Sequence, residues 1–319
     1  TNKMTKNLGD ESIEEALELG LLDEYKGEYP ELFVYAEKLA GLPKSFSMHP
    51  CFTEGALVMT DTGYKKIEDI RVGDNVLTHK NRFKLVAKTM QNKSDDIHTI
   101  KAYGMFDIKC TGNHPFYVRH RNEGRLRTYS DPEWVDARDI KKSDMLGIPI
   151  NTENIIPTYK DLPTNDKDFW WIVGRYIGDG WCEYYEQPRN EKRAIICCDK
   201  NTDEELNEII NKVSKFFDYR YVEERTTYKL FIKNDNMFEF LHRFGKYAHG
   251  KRFTNDIFDL PKGLLEAFLD GYVSADGYID KDERINIKTV SYELANGLIH
   301  SVAKVYNKSC GASIIKAGK

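Results

Sequence analysis

The chain has 319 residues, a formal net charge of −4 and six cysteines, enough length for two or three domains with cores of their own. Cys51, Cys110, Cys182, Cys197, Cys198 and Cys310 form no C-x-x-C pair and no zinc-ligand spacing, which argues against a disulfide framework and for reduced thiols in a cytoplasmic setting. No apolar run approaches membrane-spanning length, and the acidic stretch from Thr1 does not read as a signal peptide. Residues 1–50 hold 5 Lys+Arg against 10 Asp+Glu and the remainder 42 against 41, so a nucleic-acid reading must rest on motifs and local patches.

From Asp10 to about Leu42 the pattern is helical. Ile13, Ala16, Leu17 and Leu21 share one face, Leu32, Phe33, Ala36, Leu39 and Ala40 another, and Pro30 marks the break. From Ala56 to about Ile150 the period changes to two, in short runs such as Ala56-Leu-Val-Met, Asp74-Asn-Val-Leu-Thr, Ile97-His-Thr-Ile-Lys and Phe116-Tyr-Val punctuated by Gly, Asp and Asn. That predicts an all-β domain of many short strands. Residues 153–168, with Pro157 and Pro163, read as a linker. Beyond them, helical segments alternate with β-branched and aromatic strands.

Cys51 stands before the apolar strand at Ala56, a turn, a second amphipathic strand and Val72-Gly-Asp74, and about forty residues later comes Thr111-Gly-Asn-His114. This arrangement resembles the amino-terminal splicing blocks of inteins, and the resemblance implies chemistry on the chain's own backbone. The sulfur of Cys51 would attack the carbonyl of Pro50, converting the Pro50–Cys51 amide to a thioester. Such a step needs a strained or polarised peptide and a proton for the leaving nitrogen. His114 can supply the proton, because imidazole titrates near neutral pH. Thr111 and Asn113 offer a hydroxyl and an amide to hold the carbonyl or the backbone in place.

The last part of the chain repeats internally. Phe169-Trp-Trp-Ile-Val-Gly-Arg-Tyr-Ile-Gly-Asp-Gly180 is matched by Ala267-Phe-Leu-Asp-Gly-Tyr-Val-Ser-Ala-Asp-Gly277, each followed by a strand (from Arg193 and from Arg284) and then a helix (202–217 and 291–307). Gly174 and Gly178 in the first copy, and Gly271 and Ala275 in the second, are small residues four apart, suited to two helices in close contact. Gly180 and Gly277 are expected to be the left-handed residues that end those helices. Asp179 and Asp276 would then converge at two helix carboxyl ends, an arrangement of like charges that calls for cations. Hard oxygen donors favour Mg²⁺, which could activate water at a phosphodiester. The two segments resemble the LAGLIDADG motif of homing endonucleases. The resemblance implies a saddle of strands on double-stranded DNA, with Arg193, Lys229, Lys233 and Lys288 as candidate contacts. It also implies that Lys251, in Gly250-Lys-Arg-Phe-Thr, orders the attacking water.

The implied architecture is a multi-domain α+β chain: a short helical segment at 1–50, an all-β horseshoe-like splicing domain at 51–152, a linker at 153–168, and a mixed α/β endonuclease domain at 169–319 whose second pseudo-repeat is incomplete. Tyr29 to Pro50, with Gly41-Leu-Pro-Lys44 and His49, resembles a segment of the bacterial DNA polymerase III alpha subunit, which implies a host (extein) sequence without polymerase activity of its own. No His-Asn pair of the kind that ends an intein occurs, so the expectation is an amino-terminal portion that splices only with a complementary carboxyl-terminal half. Three other readings stand beside it. A truncated fragment would cleave before Cys51 at most, residues 169–319 could be a DNA-binding module without nuclease activity, and a hedgehog-type autoprocessing domain shares the Cys and Thr-x-x-His logic.

Overall fold

The computed structural model of the protein describes residues 50–124, 126–186, 191–200 and 203–315. The helices expected between Asp10 and Leu42, and the polymerase-like segment up to His49, lie outside the described residues. No described helix is long and apolar enough to cross a membrane.

The chain is mixed α/β, with its strands in several small antiparallel sheets. β1 (Leu57–Thr60), β2 (Gly63–Lys66), β3 (Asn75–Leu77) and β4 (Phe83–Leu85) form a sheet in the order β2-β1-β3-β4. The β1–β2 hairpin closes at Gly63, whose φ of +109° is one an L side chain rarely adopts. β5 (Ile97–Ile100) pairs with β6 (Ile108–Thr111), and β7 (Pro115–Arg119) lies between β8 (Glu133–Asp136) and β9 (Met145–Leu146). A small core of Ile100, Cys110 and Ala137, with Phe52, Ile108, Phe116, Ile140 and Leu146 against it, knits the second and third of these sheets together.

Three helices of 13 to 15 residues dominate the remainder. α1 (Lys167–Asp179) is started by Asp166, whose side chain accepts the Asp168 N–H at 2.7 Å. β10 (Gly180–Tyr185), β11 (Glu191–Asp199), β12 (Asp218–Glu223) and β13 (Thr227–Lys233) make a four-stranded sheet in the order β10-β11-β13-β12. Around it lie α2 (Asp203–Val213), α3 (Asp235–His242) and the single turns α4 (Tyr247–Gly250) and α5 (Asn255–Phe258). α6 (Lys262–Asp276) packs against α1 and is followed by the β14–β15 hairpin (Gly277–Ile279, Ile285–Ile287) and α7 (Tyr292–Tyr306). Among the described residues the repeat is thus a helix, a sheet and a helix in both copies, with four strands in the first and two in the second.

The close contact expected of the small residues is present. A Cβ on Gly174 would lie 2.0 Å from the Phe268 carbonyl oxygen, one on Gly271 2.0 Å from that of Trp171, and one on Gly178 2.2 Å from Ala275 Cβ. The expectation for the terminal glycines is corrected: Gly180 (φ −119°) and Gly277 (φ −86°) are extended, not left-handed. Each helix runs straight into a strand, and glycine is needed there for space. A Cβ on Gly180 would lie 2.7 Å from the Tyr176 carbonyl oxygen, and one on Gly277 2.5 Å from that of Val273.

One feature of the packing crosses the boundary drawn from sequence. Met59 of β1 belongs to the large core built on α1, α6 and the four-stranded sheet, with Tyr64, Leu77 and Phe83 packed against it. The Tyr64 ring meets Phe258 edge-on at 5.8 Å. The segment expected as a linker is tied down as well: the Ile155 N–H donates to the Asp259 carbonyl at 2.7 Å, Tyr159 Oη donates to Asp256 at 2.7 Å, and Lys304 Nζ donates to the Glu153 carbonyl at 2.6 Å.

At the same junction the Asn151 N–H donates to Nε2 of buried His300 at 3.2 Å. The ring must be neutral at that nitrogen, and burial pushes its pKa down to about 4. Because the folded value lies below the ordinary 6.5, the stability that comes from keeping the ring neutral is complete above pH 6.5. It is lost as pH falls toward 4, by about 3 kcal/mol across the window. Thermal melts between pH 7 and pH 4 should therefore fall more steeply for the wild type than for His300→Gln. Parallel curves would exclude His300 as the titrating group.

Candidate functional site

Cys51 lies beside the end of β6. Its N–H donates to Thr111 Oγ1 at 3.0 Å, while the Thr111 N–H donates to the Cys51 carbonyl at 2.9 Å. Phe52 bridges Cys110, and the Thr53 N–H reaches the Lys109 carbonyl at 3.0 Å, so residues 51–53 run antiparallel to β6 as an added edge. The peptide nitrogen that would leave in an acyl shift is therefore held by a buried hydroxyl oxygen, with Pro50 exposed on the other side of the bond.

The Thr111-Gly-Asn-His turn is held from three directions. The His114 N–H returns to the Thr111 carbonyl at 3.0 Å, the Ala137 N–H donates to the His114 carbonyl at 2.8 Å, and the Arg138 N–H donates to the Gly112 carbonyl at 3.0 Å. The Phe52 ring lies 3.9 Å from the His114 ring, centroid to centroid, which places the histidine next to the residue after Cys51. Burial pushes the His114 pKa below its ordinary value, and Nδ1 has no hydrogen-bond partner among the described residues. A neutral imidazole with a free nitrogen can take up a proton and pass it on. Asn113 is half-buried in the same turn.

Sequence reasoning missed the support behind this turn. The Gly112 N–H donates to the Asp96 carbonyl at 3.2 Å, and the Asp96 carboxylate holds His98 Nε2 at 2.9 Å and Arg138 at 3.7 Å. A Cβ on Gly112 would lie 2.5 Å from Asp96 Oδ2 and 2.8 Å from His98 Nε2, so any larger residue would have to displace the Asp96–His98 pair. These partners are too far apart in sequence to form a local motif.

The second constellation lies where α1 and α6 end. Asp276 Cγ is 3.7 Å from where a Cβ on Gly178 would stand, which brings its carboxyl group next to the last turn of α1. Burial raises the Asp179 pKa; Arg175 pulls it down, the Asp276 charge pushes it up, and Lys251 pulls it down. Lys251 is buried, and Nζ donates to the carbonyls of Ile177 at 2.6 Å, Gly178 at 2.8 Å and Tyr176 at 3.4 Å. It caps the carbonyl end of α1, and burial brings its pKa down to about 8 against the pull of both aspartates. Arg175, also unforeseen, is 1% exposed and reaches Asp179 at 3.2 Å and the Cys197 carbonyl at 3.0 Å, with further bonds to Glu205 and the Ser274 carbonyl. Its position four residues before Asp179 was the available signal.

The two carboxylates suit a hard divalent cation: both are oxygen donors at adjoining helix carboxyl ends, and they repel each other without one. No group of three or more His, Cys, Asp or Glu side chains assembles there among the described residues. Water and phosphate oxygens would have to complete the coordination of any such ion.

Register places the candidate DNA contacts on the sheet. Ala194, Ile196, Cys198, Leu230 and Ile232 face the core. The alternating positions put Arg193, Lys229 and Lys233 together on the opposite face, with Arg220 directly across from Phe231. Arg193 lies over the Tyr185 ring at 4.7 Å, Lys229 over Trp181 at 5.6 Å and Arg220 over Phe231 at 4.4 Å. Glu191 pairs with Arg193 at 2.6 Å and Glu224 with Lys229 at 2.8 Å, so acidic neighbours temper the charge of this face. Lys288 lies apart from them, just after β15 and 5.3 Å from the Tyr278 ring centroid.

Residues 50–104 match the Hint domain family and residues 264–304 the LAGLIDADG-like domain family. Among curated proteins, the chain is 35% identical to the uncharacterized protein MJ0043 of Methanocaldococcus jannaschii, over 46% of this chain and 24% of that protein. It is 26% identical to the ATP-dependent DNA helicase Hel308 of Thermococcus kodakarensis over 87% of this chain and 30% of the helicase. It is 28% identical to a DNA polymerase of the same organism over 48% of this chain and 9% of the polymerase. The chain thus spans less than a third of the length of each of these relatives. Among solved structures, a variant of I-DmoI in complex with its nicked target DNA and manganese is similar at 16% identity and a TM-score of 0.31, over 44% of this chain and 75% of that one. That likeness is too distant to bear on function. The two family matches, in this order along one chain, support an intein with an endonuclease domain: a Hint-type β part followed by a LAGLIDADG-like α/β part.

Proposed function

We propose that this chain carries out the first step of protein splicing at Pro50–Cys51. The supporting observation is the reciprocal pair of hydrogen bonds between Cys51 and Thr111, which joins the leaving nitrogen to the turn that bears His114. The Cys51 sulfur adds to the Pro50 carbonyl carbon, the C–N bond breaks, and the thiol proton passes by way of His114 to the departing nitrogen. Thr111 holds that nitrogen in place and Asn113 steadies the turn. A reducing cytoplasm keeps Cys51 as a free thiol. Residues 1–50 are the host segment, from a polymerase III alpha precursor. A complementary carboxyl-terminal half would complete splicing in trans.

The second activity proposed is cleavage of double-stranded DNA at Asp179 and Asp276. Mg²⁺ bound by the two carboxylates would activate water and stabilise the leaving oxygen. Arg193, Lys229, Lys233 and Lys288 would contact the duplex backbone. One observation favours a rival reading for residues 169–319, a DNA-binding module that does not cut. The Lys251 ammonium rests on three carbonyls and Arg175 occupies an Asp179 oxygen, so neither cation is free to order a water molecule as they stand.

Intact mass after incubation with and without dithiothreitol tests the first activity. A thiol-dependent product lacking residues 1–50 is expected. An unchanged mass, with or without candidate carboxyl-terminal halves, would overturn the acyl-shift reading.

A further inference from the structure

Arg175 and Tyr272 occupy equivalent places in the two repeats, each four residues before its aspartate. We propose that Arg175 makes the carboxylate pair unequal, holding Asp179 as the weaker of two ligands for a divalent cation and leaving Asp276 the stronger. Arg175 is then a positioning residue for the proposed nuclease centre, and the inference rests on that reading.

Each aspartate has one oxygen engaged by its own helix. Asp179 Oδ2 accepts from the Arg175 guanidinium at 3.2 Å, and Asp276 Oδ2 accepts from the Tyr272 hydroxyl at 3.0 Å. The two arrangements match in spacing and atom and differ in charge. A fixed positive charge beside a ligand oxygen repels an incoming dication, and a neutral hydroxyl does not. Arg175 cannot swing aside to admit the ion. Its side chain is 1% exposed and is anchored to the Ser274 carbonyl of α6, the Cys197 carbonyl of β11 and the Glu205 carboxylate of α2. Lys251 acts on both carboxylates, on Asp276 more than on Asp179, so it works against this imbalance and Arg175 alone is its source. Glu205 works against it too, taking a share of the guanidinium charge and so limiting what Asp179 experiences.

The test is Mn²⁺ binding to the full chain without DNA, followed by the electron paramagnetic resonance signal of the free ion. Asp276→Asn is expected to weaken binding about tenfold more than Asp179→Asn. Arg175→Met removes the opposing charge and should tighten binding. Glu205→Gln leaves the guanidinium unshared and should weaken it. A purely structural role would move both of these variants in the same direction. Should Arg175→Met fail to fold, Glu205→Gln against wild type still decides the sign. Equal losses in the two aspartate variants, or Glu205→Gln binding as tightly as wild type, would overturn the inference while leaving a cation centre in place. Wild-type binding that neither aspartate variant alters would remove the cation centre itself, and the inference with it.

Discussion

Cys51→Ala is expected to abolish the thiol-induced release of residues 1–50, a loss of at least about a thousandfold, because alanine has no nucleophile to form the acyl intermediate. The variant is a clean test of chemistry. Both hydrogen bonds between residues 51 and 111 use backbone groups of residue 51, so the added edge along β6 remains in place. His114→Ala should slow release by about a hundredfold or more, the usual range for a positioned proton donor and acceptor. Its pKa, lowered by burial, adds a sign: the neutral ring that accepts the thiol proton persists at pH values below the ordinary histidine range. The wild-type rate should therefore hold as pH falls through 6.5 and decline only at lower pH. Mass spectrometry of the released segment measures all of this. Release that persists in Cys51→Ala would place the nucleophile elsewhere.

Asp179→Asn and Asp276→Asn, each introduced singly, are expected to eliminate Mg²⁺-dependent double-strand cleavage, by about a hundredfold or more, while leaving the release of residues 1–50 unchanged. Asparagine keeps the size of the side chain and removes the charge that a dication needs. The measurement is cleavage of a duplex selected by binding from a randomised library, run beside the release assay on the same preparation. Retained cleavage in either variant would exclude that carboxylate as a metal ligand. A change in release would show that the two centres communicate. Such communication has a physical route, since Met59 and Tyr64 of the first hairpin pack into the same core as α1, α6 and Phe258.

The nature of the two centres was legible in the chain because each is a local constellation. Thr111, Asn113 and His114 fall in one turn, and Asp179 and Asp276 close two repeated helices whose small residues announce their contact. What supports them was not legible. Gly112 is held by the carbonyl of Asp96, just before β5, and a β-bridge between Phe52 and Cys110 brings Cys51 to Thr111 across sixty residues. Nothing around Lys251 in the sequence indicates that its ammonium caps the carbonyl end of α1. Its neighbours are backbone carbonyls, which look alike in every sequence. Gly180 and Gly277 were read through their dihedral freedom, yet the structure requires them for the space they leave, a demand set by the packing of the turn before them.

The sequence by itself determined the class of the described elements and the residues from which each proposed centre is built. Periodicity, spacing and residue type are local properties, and they act before the chain is folded. Only the tertiary structure decided which distant groups meet. It set Arg175 on Glu205, His300 on Asn151 and the first hairpin on the helical core. Those pairings depend on how whole elements pack, and packing is settled by the shape and burial of many residues together.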